Sequence, residues 1–350
     1  MTSEVKTWEG KFWKLYNADC VEIMAQIEDN SIDFAAYSSP FSSLYVYSDS
    51  ERDLGNAHSH DDFFVGFGFF ARELFRIMKP GTVICDYVKD ILMFQGSSET
   101  GESGIMPFSD MAIAAYQKAG FTLRSRTTIW TDPVRERSKT NADRLLHKSI
   151  GENSRVVGTG MPEYILVMRK DSRGGKVGEA VKHAIDTHRS ESVDLQADKI
   201  ARENAERLVR KGLIENVNPE LIAELAEYCK FPVRRWSEWA SPVWLDNRSS
   251  DVLTKNFSGG RFKGAEKDER HLTPTPLAYM ERVLNLYSNP GDIVFDPFSG
   301  IGSTGTVAVK NYRYFIGTEL KPEYAHYGAK FIGEAEQMQG SLLSQMEQAT

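Results

Sequence analysis

The chain has 350 residues, of which 41% are hydrophobic and 26% charged, and its formal net charge at pH 7 is −7. This length is sufficient for one large α/β domain with a smaller domain inserted or appended. Its apolar runs fall far short of the roughly 20 residues that a membrane-spanning helix needs, and residues 1–14 lack the continuous apolar segment that is typical of a secretory signal. The cysteines, Cys20, Cys85 and Cys229, form neither a CxxC pair nor a disulfide framework. We therefore expect a cytoplasmic protein with reduced thiols.

The first part of the chain alternates between apolar runs and amphipathic segments. Residues 15–16 and 32–37 are predicted strands, and an amphipathic helix over residues 20–27 separates them. The prediction continues with a helix over 61–78, a strand over 82–87, a helix over 111–119 and strands over 121–130 and 163–168. This alternation predicts an α/β fold with a parallel-type sheet covered by helices on both faces.

A change of composition near residue 171 indicates a second module. A glycine-containing linker leads into polar helical sequence as far as Cys229, and aromatic, basic and glycine-rich sequence follows. The α/β pattern then resumes with a helix over 277–287, a strand over 292–295, a helix ending near residue 310 and a strand over 314–317. We predict two halves of one α/β domain at 1–170 and 271–335, an inserted module at 171–270 and a tail at 336–350.

The strongest chemical signal is a predicted buried strand that leads into a glycine turn at the start of a helix, at residues 292–304. Gly300 and Gly302 lack a Cβ atom, so the backbone can turn sharply and a ligand can approach the helix amino terminus. About twenty residues later the next strand ends in Glu319, where a carboxylate can accept hydrogen bonds from ribose hydroxyls. The loop lacks the full pyrophosphate fingerprint and a following Gly-Lys-Ser/Thr, which favours an adenosyl ligand without phosphates.

The second signal is the tetrapeptide Ser-Ser-Pro-Phe at residues 38–41, at the end of its predicted strand. Ligands collect at the carboxyl ends of strands in such sheets, so the tetrapeptide is expected to face the same cleft as the glycine loop. Ser38 offers a hydroxyl acceptor and Phe41 a stacking face. Ser39 and Pro40 offer backbone carbonyls held by a fixed φ. These groups can hold the amino group of a planar base, although an ordinary proline turn is the better explanation of the tetrapeptide when it is taken alone.

Taken together, the two motifs resemble those of the DNA amino-methyltransferases. Residues 38–41 look like the Ser/Asp-Pro-Pro-Tyr/Phe catalytic motif, and residues 296–302 are similar to the cofactor-binding loop of that family. The catalytic motif comes first and the cofactor loop last, an order that resembles the circularly permuted β-class. The resemblance covers residues 11–170 and 270–332. It implies a Rossmann-like, S-adenosyl-L-methionine-dependent methyltransferase that acts on double-stranded DNA and is encoded by a bacterium or a phage.

The resemblance also implies roles for individual positions. Residues 17–20 resemble the Gly-Asp-Cys/Ser motif, which would place Asp19 at the adenine amino group of the cofactor. Residues 271–276 look like His-Pro-Thr-Gln-Lys-Pro but depart from it at three positions. The expected catalytic residues are Ser38, Ser39, Pro40 and Phe41. The expected cofactor-binding residues are Asp19, Asp296, Pro297, Phe298, Gly300, Gly302, Ser303, Thr304, Glu319 and Thr273. Ser39 replaces the usual first proline, which is expected to loosen the loop without removing its carbonyl.

An enzyme of this kind is expected to flip the target base out of the duplex and to stack it on Phe41. The amino group would donate hydrogen bonds to Ser38 and to the Ser39 carbonyl, which would aim its nitrogen at the sulfonium methyl group. Ser is more common at the first motif position in N4-cytosine enzymes and Asp in N6-adenine enzymes, so the sequence favours cytosine N4. Adenine N6 is the alternative. A non-catalytic nucleic-acid-binding relative, and a methyltransferase acting on RNA or protein, also stay open.

DNA recognition is expected within residues 171–270, where basic side chains alternate with aromatic ones. The candidate DNA-binding residues are Arg234, Arg235, Arg248, Lys255, Arg261 and Lys263. For Trp236 and Trp244 we favour a place in the core of the module. The polar helices before them, over residues 178–229, are equally compatible with a homodimer interface and with a purely structural insert. A cognate restriction nuclease is not deducible from the sequence. The 7 histidines are scattered, so we predict no metal site.

Overall fold

A computed structural model describes residues 5–42, 53–57, 59–93, 104–140, 147–152, 154, 158–171, 193–212, 214–229, 233–246, 248, 250–253 and 275–347. Its strands are β1 (Lys6–Glu9), β2 (Trp13–Asn17), β3 (Phe34–Tyr37), β4 (Val83–Lys89), β5 (Ile91–Met93), β6 (Gly104–Met106), β7 (Thr122–Ile129), β8 (Glu163–Arg169), β9 (Val243–Trp244), β10 (Ile293–Asp296) and β11 (Tyr314–Thr318). Its helices are α1 (Cys20–Met24), α2 (His60–Ile77), α3 (Phe108–Ala119), α4 (Pro133–Thr140), α5 (Ser149–Glu152), α6 (Val193–Arg210), α7 (Pro219–Cys229), α8 (Val233–Trp239), α9 (Leu277–Tyr287), α10 (Ser303–Lys310) and α11 (Pro322–Glu347).

The main sheet of the described residues has 9 strands in the order β1-β2-β11-β10-β3-β4-β8-β7-β9. The central strands β2, β11, β10, β3 and β4 are mutually parallel. β8 runs antiparallel between β4 and β7, and β1 runs antiparallel to β2 at one edge. The predicted α/β fold is confirmed, with a sheet that is parallel at its centre and mixed towards its edges.

The alternation of side chains along β3 explains why both faces of the sheet are covered. All four of its residues are buried. Phe34 and Ala36 contribute to one hydrophobic cluster, and Ala35 and Tyr37 contribute to the other. Because successive side chains of a strand point to opposite faces, the two clusters lie on opposite sides of the sheet. A strand buried on both faces has the continuous apolar sequence seen here.

Helix α2 shows how the sequence produces one of the covering layers. Ser59 caps its first turn by accepting a hydrogen bond from the amide of Asp62 at 3.1 Å. Phe63, Phe67 and Phe70 repeat at helical spacing and are fully buried against the sheet. The helix ends at Ile77, three residues before Pro80, because the residue before a proline disfavours the helical conformation.

Helices α6 and α7 lie in the region predicted to be an inserted module. Their apolar residues belong to the same hydrophobic cluster as strands β3 and β10, among them Ala201, Ala205, Leu208, Leu221 and Leu225. The hydroxyl of Tyr312 donates a hydrogen bond to Glu224 on α7. The two helices therefore cover one face of the sheet, and the predicted domain boundaries stay a prediction.

Other elements differ from the sequence prediction in extent. α1 ends at Met24 rather than at residue 27, β1 was not predicted, and α11 extends through the predicted tail as far as Glu347. Cys20 and Cys85 are buried free thiols. Within the ranges that the structure describes, no helix combines the length and apolar composition needed to cross a membrane.

Candidate active site

The two sequence motifs meet in one cleft at the carboxyl ends of the central strands. β3 and β10 are adjacent and parallel, with Phe34 opposite Val294 and Ala35 opposite Phe295. The segments that follow both strands therefore leave the sheet at the same edge, as the sequence predicted. The cleft is lined by Asp19, Ser38, Ser39, Pro40, Phe41, Asp53, Pro297, Phe298, Gly300, Ser303, Glu319 and Tyr324, among others.

Two positions of the glycine loop have backbone conformations that favour glycine. Gly300 has a φ of 51° and Gly302 a φ of 85°, both in the left-handed region that favours glycine. A Cβ atom on Gly302 would lie 3.0 Å from the backbone of Gly328 in helix α11. Gly302 is therefore needed for the turn and for close helix packing.

Three of the expected cofactor-binding residues stand behind the lining of the cleft: Asp296, Gly302 and Thr304. Asp296 is buried, and it accepts hydrogen bonds from the amide of Phe298 at 2.9 Å and from the side chain of Thr304. Burial raises the pKa of Asp296 to about 7, while these two hydrogen bonds act to lower it. In the structure these residues shape the loop rather than line the cleft.

Glu319 joins the end of β11 to the glycine loop. Its Oε2 atom accepts a hydrogen bond from the amide of Gly300 at 2.8 Å, and its Oε1 atom accepts one from the amide of Lys321 at 2.8 Å. Removal from water raises the pKa of Glu319 to about 7, and the backbone hydrogen bonds oppose that rise. The carboxylate thus has a fixed orientation at the cleft, where each oxygen keeps further acceptor capacity.

Asp19 lines the cleft and also caps helix α1. Its Oδ1 atom accepts hydrogen bonds from the amides of Val21 at 2.9 Å and Glu22 at 3.1 Å. This is the usual arrangement of an N-cap aspartate, and it fixes the side chain at the cleft wall. The predicted contact with adenine is compatible with this position, and it stays a prediction.

The tetrapeptide at residues 38–41 is more tightly held than its sequence predicts. The Ser38 hydroxyl donates to the carbonyl of Tyr87 at 2.9 Å, so its only proton is used and its lone pairs stay available as acceptors. Ser39 is 1% exposed, and both its amide and its hydroxyl donate to the carboxylate of Asp86. The expected loosening at Ser39 is wrong, because two hydrogen bonds take the place of the proline ring. Phe41 is half-buried, with its ring centroid 6.1 Å from that of Phe108.

Two acidic residues, one lining the cleft and one buried behind it, were not predicted from the sequence. Asp86 lies in the apolar strand β4, and a single acid within a buried strand was the available signal. Asp53 lines the cleft, accepts a hydrogen bond from the amide of Gly55 at 2.8 Å, and raises the pKa of Glu319 through its charge. It was missed because its segment, residues 42–56, contains several acids and nothing in the sequence distinguishes Asp53 from the others.

The candidate DNA-binding residues are only partly described. Arg235 and Arg248 have exposed side chains, and Arg248 forms an ion pair with Asp246 at 3.3 Å. The side chain of Arg234 lies outside the described residues, as do Lys255, Arg261, Lys263 and the expected cofactor residue Thr273.

The two tryptophans that were assigned to the core of the module behave differently. Trp244 is 2% exposed, so it is buried as predicted, but it belongs to the hydrophobic cluster of the main sheet, where its ring lies 5.8 Å from that of Tyr279. Trp236 is 56% exposed, so its assignment to the core is wrong. It lies on the short helix α8, where the neighbouring side chains are also exposed. Among the described residues, no group of three or more His, Cys, Asp or Glu side chains is arranged to hold a metal ion.

The sheet topology and the cleft together define a methyltransferase-type α/β fold. A family model described as DNA methylase, the N6/N4 methyltransferases, matches residues 32–330, and the chain belongs to this family. A protein of Thermus thermophilus assigned as a DNA modification methylase, and solved with S-adenosyl-L-methionine, has the same fold at a TM-score of 0.56 and 19% identity, covering 92% of this chain and 93% of the other. PvuII DNA methyltransferase, described as cytosine-N4-specific, gives a TM-score of 0.55 at 16% identity, covering 91% and 86%.

Two sequence relatives are more similar over shorter segments. The DNA adenine methyltransferase YhdJ of Escherichia coli K12 is 39% identical over 79 residues, which is 23% of this chain and 27% of that protein. The type II methyltransferase M1.MboII of Moraxella bovis is 39% identical over 95 residues, which is 25% of this chain and 36% of that protein. These matches therefore span well under half the length of either relative.

Proposed function

We propose that the protein is a DNA methyltransferase that transfers a methyl group from S-adenosyl-L-methionine to the exocyclic N4 of a cytosine in double-stranded DNA. The observation that carries the proposal is the meeting of the Ser38 hydroxyl and the loop tied to Glu319 in one cleft. Family membership and the relatives named above support the reaction class. Adenine N6 is the second candidate, because one relative is named a DNA adenine methyltransferase.

The residues at the cleft fit the proposed cofactor. Glu319 presents a fixed carboxylate that can accept hydrogen bonds from ribose hydroxyls. Asp19 and Asp53 add negative potential, which suits a ligand that carries sulfonium and ammonium groups. Apolar surface from Phe298 suits an adenine ring. When bound, S-adenosyl-L-methionine supplies an electrophilic methyl group.

The chain's own residues would bind and orient the target base. The Ser38 hydroxyl donates its hydrogen bond to the Tyr87 carbonyl, so the Ser38 oxygen can accept one N–H of the amino group. The Ser39 carbonyl can accept the other, which draws the nitrogen lone pair out of conjugation with the ring. Phe41 offers a face for stacking the flipped base. In this mechanism most of the rate acceleration comes from positioning and electrostatics.

The chain order of the elements supports assignment to the circularly permuted β-class. β10 and β11 come late in the sequence, yet they lie between β2 and β3 in the sheet. The expected cofactor loop therefore follows the expected catalytic tetrapeptide along the chain while adjoining it in space. We further propose that Arg235 and Arg248, with the basic residues outside the described ranges, contact DNA phosphates or base edges.

The test is to incubate the purified protein with unmethylated DNA and S-adenosyl-L-methionine, digest the DNA to nucleosides and identify the products by mass. N4-methylcytosine is expected, with its yield lost in Ser38→Ala. The matched control is Ser31→Ala, since the Ser31 hydroxyl also donates to a backbone carbonyl, that of Glu28 at 2.7 Å, but it precedes β3 at the opposite edge of the sheet. N6-methyladenine would overturn the choice of base. No methylated nucleoside despite cofactor binding would favour a non-catalytic relative or an RNA or protein substrate.

A further inference from the structure

Ser39 is the position at which this chain departs from the motif that it resembles. A proline there would have no amide hydrogen and no hydroxyl, whereas Ser39 uses both groups on one buried partner. Its amide donates to Asp86 Oδ1 at 3.0 Å, and its hydroxyl donates to Asp86 Oδ2 at 2.9 Å. The departure is therefore matched by an acid placed to receive it.

We propose that the buried carboxylate of Asp86 is a positioning residue for methyl transfer, which fixes the catalytic tetrapeptide by holding Ser39 from beneath. The proposal rests on the proposed function, since residues 38–41 are catalytic only if the protein methylates a base amino group. Asp86 does not line the cleft. It acts on the reaction through Ser39.

A second contact extends the arrangement to the strand before the tetrapeptide. The Tyr116 hydroxyl on α3 donates to Asp86 Oδ2 at 2.7 Å, and the Tyr37 hydroxyl lies 2.8 Å from that of Tyr116. Because the proton of Tyr116 goes to Asp86, Tyr37 is the donor in the second bond. All four side chains, those of Tyr37, Ser39, Asp86 and Tyr116, are at most 1% exposed.

The alternation of the chain explains why this network orients Ser38. Tyr37 lies opposite Asp86 in the register of β3 and β4, and Ser39 follows two residues later on the same side. Ser38, between them, points the other way and donates to Tyr87, the residue after Asp86. Of the two neighbours of Ser38, Ser39 is thus bonded directly to the carboxylate of Asp86, and Tyr37 is linked to it through Tyr116. A shift of Ser39 would move the Ser38 hydroxyl and the Ser39 carbonyl together.

In its ionised form Asp86 accepts all three hydrogen bonds, whereas protonation would make one carboxyl oxygen a donor and reverse the bond from the Ser39 or the Tyr116 hydroxyl. Burial raises the pKa of Asp86 to about 6, while the bonds from Ser39 and Tyr116 oppose the rise. The neighbouring Tyr37, Tyr116 and Cys85 have pKa values raised well above their ordinary ones and stay neutral near pH 7. Asp296, whose pKa is raised by burial and in part by the charge of Asp86, and Glu319 both have a pKa of about 7 and titrate in the same range.

The experiment measures kcat and KM for DNA, the affinity for S-adenosyl-L-methionine and the melting temperature. The variants are Asp86→Asn, Ser39→Ala and their combination. We expect Asp86→Asn to lower kcat by about 10- to 100-fold, as for loss of hydrogen bonds to a charged group, with KM and cofactor affinity within about threefold of wild type. Because both changes break one contact, the double variant should lose about as much as Asp86→Asn alone. Ser288→Ala is the control, since the buried Ser288 hydroxyl donates to Leu284 at the opposite edge.

The pH profile distinguishes positioning from stability alone. In wild type we expect kcat to fall below about pH 6, following the pKa of Asp86. Ser39→Ala removes a donor to the ionised form, so the acid limb should move to higher pH, whereas the control Ser288→Ala should leave the limb in place. Unaltered kcat and an unmoved limb in Ser39→Ala, or losses that track only the melting temperature, would overturn this inference alone. Absence of any methylated nucleoside in the wild-type reaction would overturn it together with the proposed function.

Discussion

Replacing Glu319 by Gln tests the proposed cofactor site through a change of one atom. In the structure both carboxylate oxygens accept backbone N–H groups, from Gly300 and Lys321, each at 2.8 Å. A glutamine presents only one acceptor oxygen, so its NH₂ group must face one of these donors. The variant also loses the negative charge that would receive the ribose hydroxyls.

The expected loss of cofactor affinity in Glu319→Gln follows from the loss of a hydrogen bond to a charged group. A hydrogen bond to a charged group contributes about 1.5–3 kcal/mol, which corresponds to a dissociation constant about 10- to 150-fold higher. Titration calorimetry with S-adenosyl-L-methionine at pH 8 measures this directly. Glu336→Gln is the matched control, because Glu336 also accepts a backbone N–H, that of Phe12 at 2.8 Å, and it does not line the cleft. A dissociation constant within about twofold of wild type in Glu319→Gln would refute the assignment of Glu319.

The affinity for S-adenosyl-L-methionine should also depend on pH, in a direction set by the pKa of Glu319. The pKa of Glu319 is about 7, raised because the carboxyl group is removed from water. If the cofactor binds the ionised form, affinity should be greatest above pH 7 and should weaken by up to about tenfold per pH unit below it. Glu319→Gln should lose this limb, apart from the part contributed by Asp296, whose pKa is also about 7.

Two further outcomes concern stability. The buried carboxyl groups with raised pKa values, those of Asp86, Asp296 and Glu319, bind protons more tightly in the folded state than in the unfolded state. Their contribution to stability is therefore fully present below the ordinary carboxyl pKa of about 4 and is lost as the pH rises through about 6 to 7. The free energy of unfolding, measured in urea, should be higher at pH 5 than at pH 8. A free energy of unfolding that rises from pH 5 to pH 8 would contradict the raised pKa values of these groups. Gly302→Ala should lower the free energy of unfolding by about 1–3 kcal/mol, because the φ of Gly302 is 85° and the new Cβ would lie 3.0 Å from the Gly328 backbone. Gly151→Ala is the control and should have little effect, since no atom lies within 4 Å of the new Cβ. A Gly302→Ala variant with the melting temperature of wild type would show that the loop has room to adjust.

The sequence alone determined the features that depend on local pattern. Apolar runs bounded by glycine and proline identified most central strands, and the Lys-Pro-Gly sequence at 79–81 identified the end of α2, because these signals depend on local backbone geometry. The meeting of Ser38 with the loop before α10 was also predictable. Strands that are parallel and adjacent bring their carboxyl ends to one edge, whatever the details of packing.

Only the tertiary structure decided the features that depend on which residues meet across the chain. The antiparallel direction of β8, the exposure of Trp236 and the packing of α6 on the sheet leave no local signature. The same holds for Asp86, which is 47 residues from Ser39 in sequence and within 3.0 Å of it in space. From the sequence alone, Ser39 in place of the motif's proline predicts a less rigid loop, because its partner Asp86 is not known. The fold supplies that partner, because burial makes a carboxylate depend on every donor it can reach.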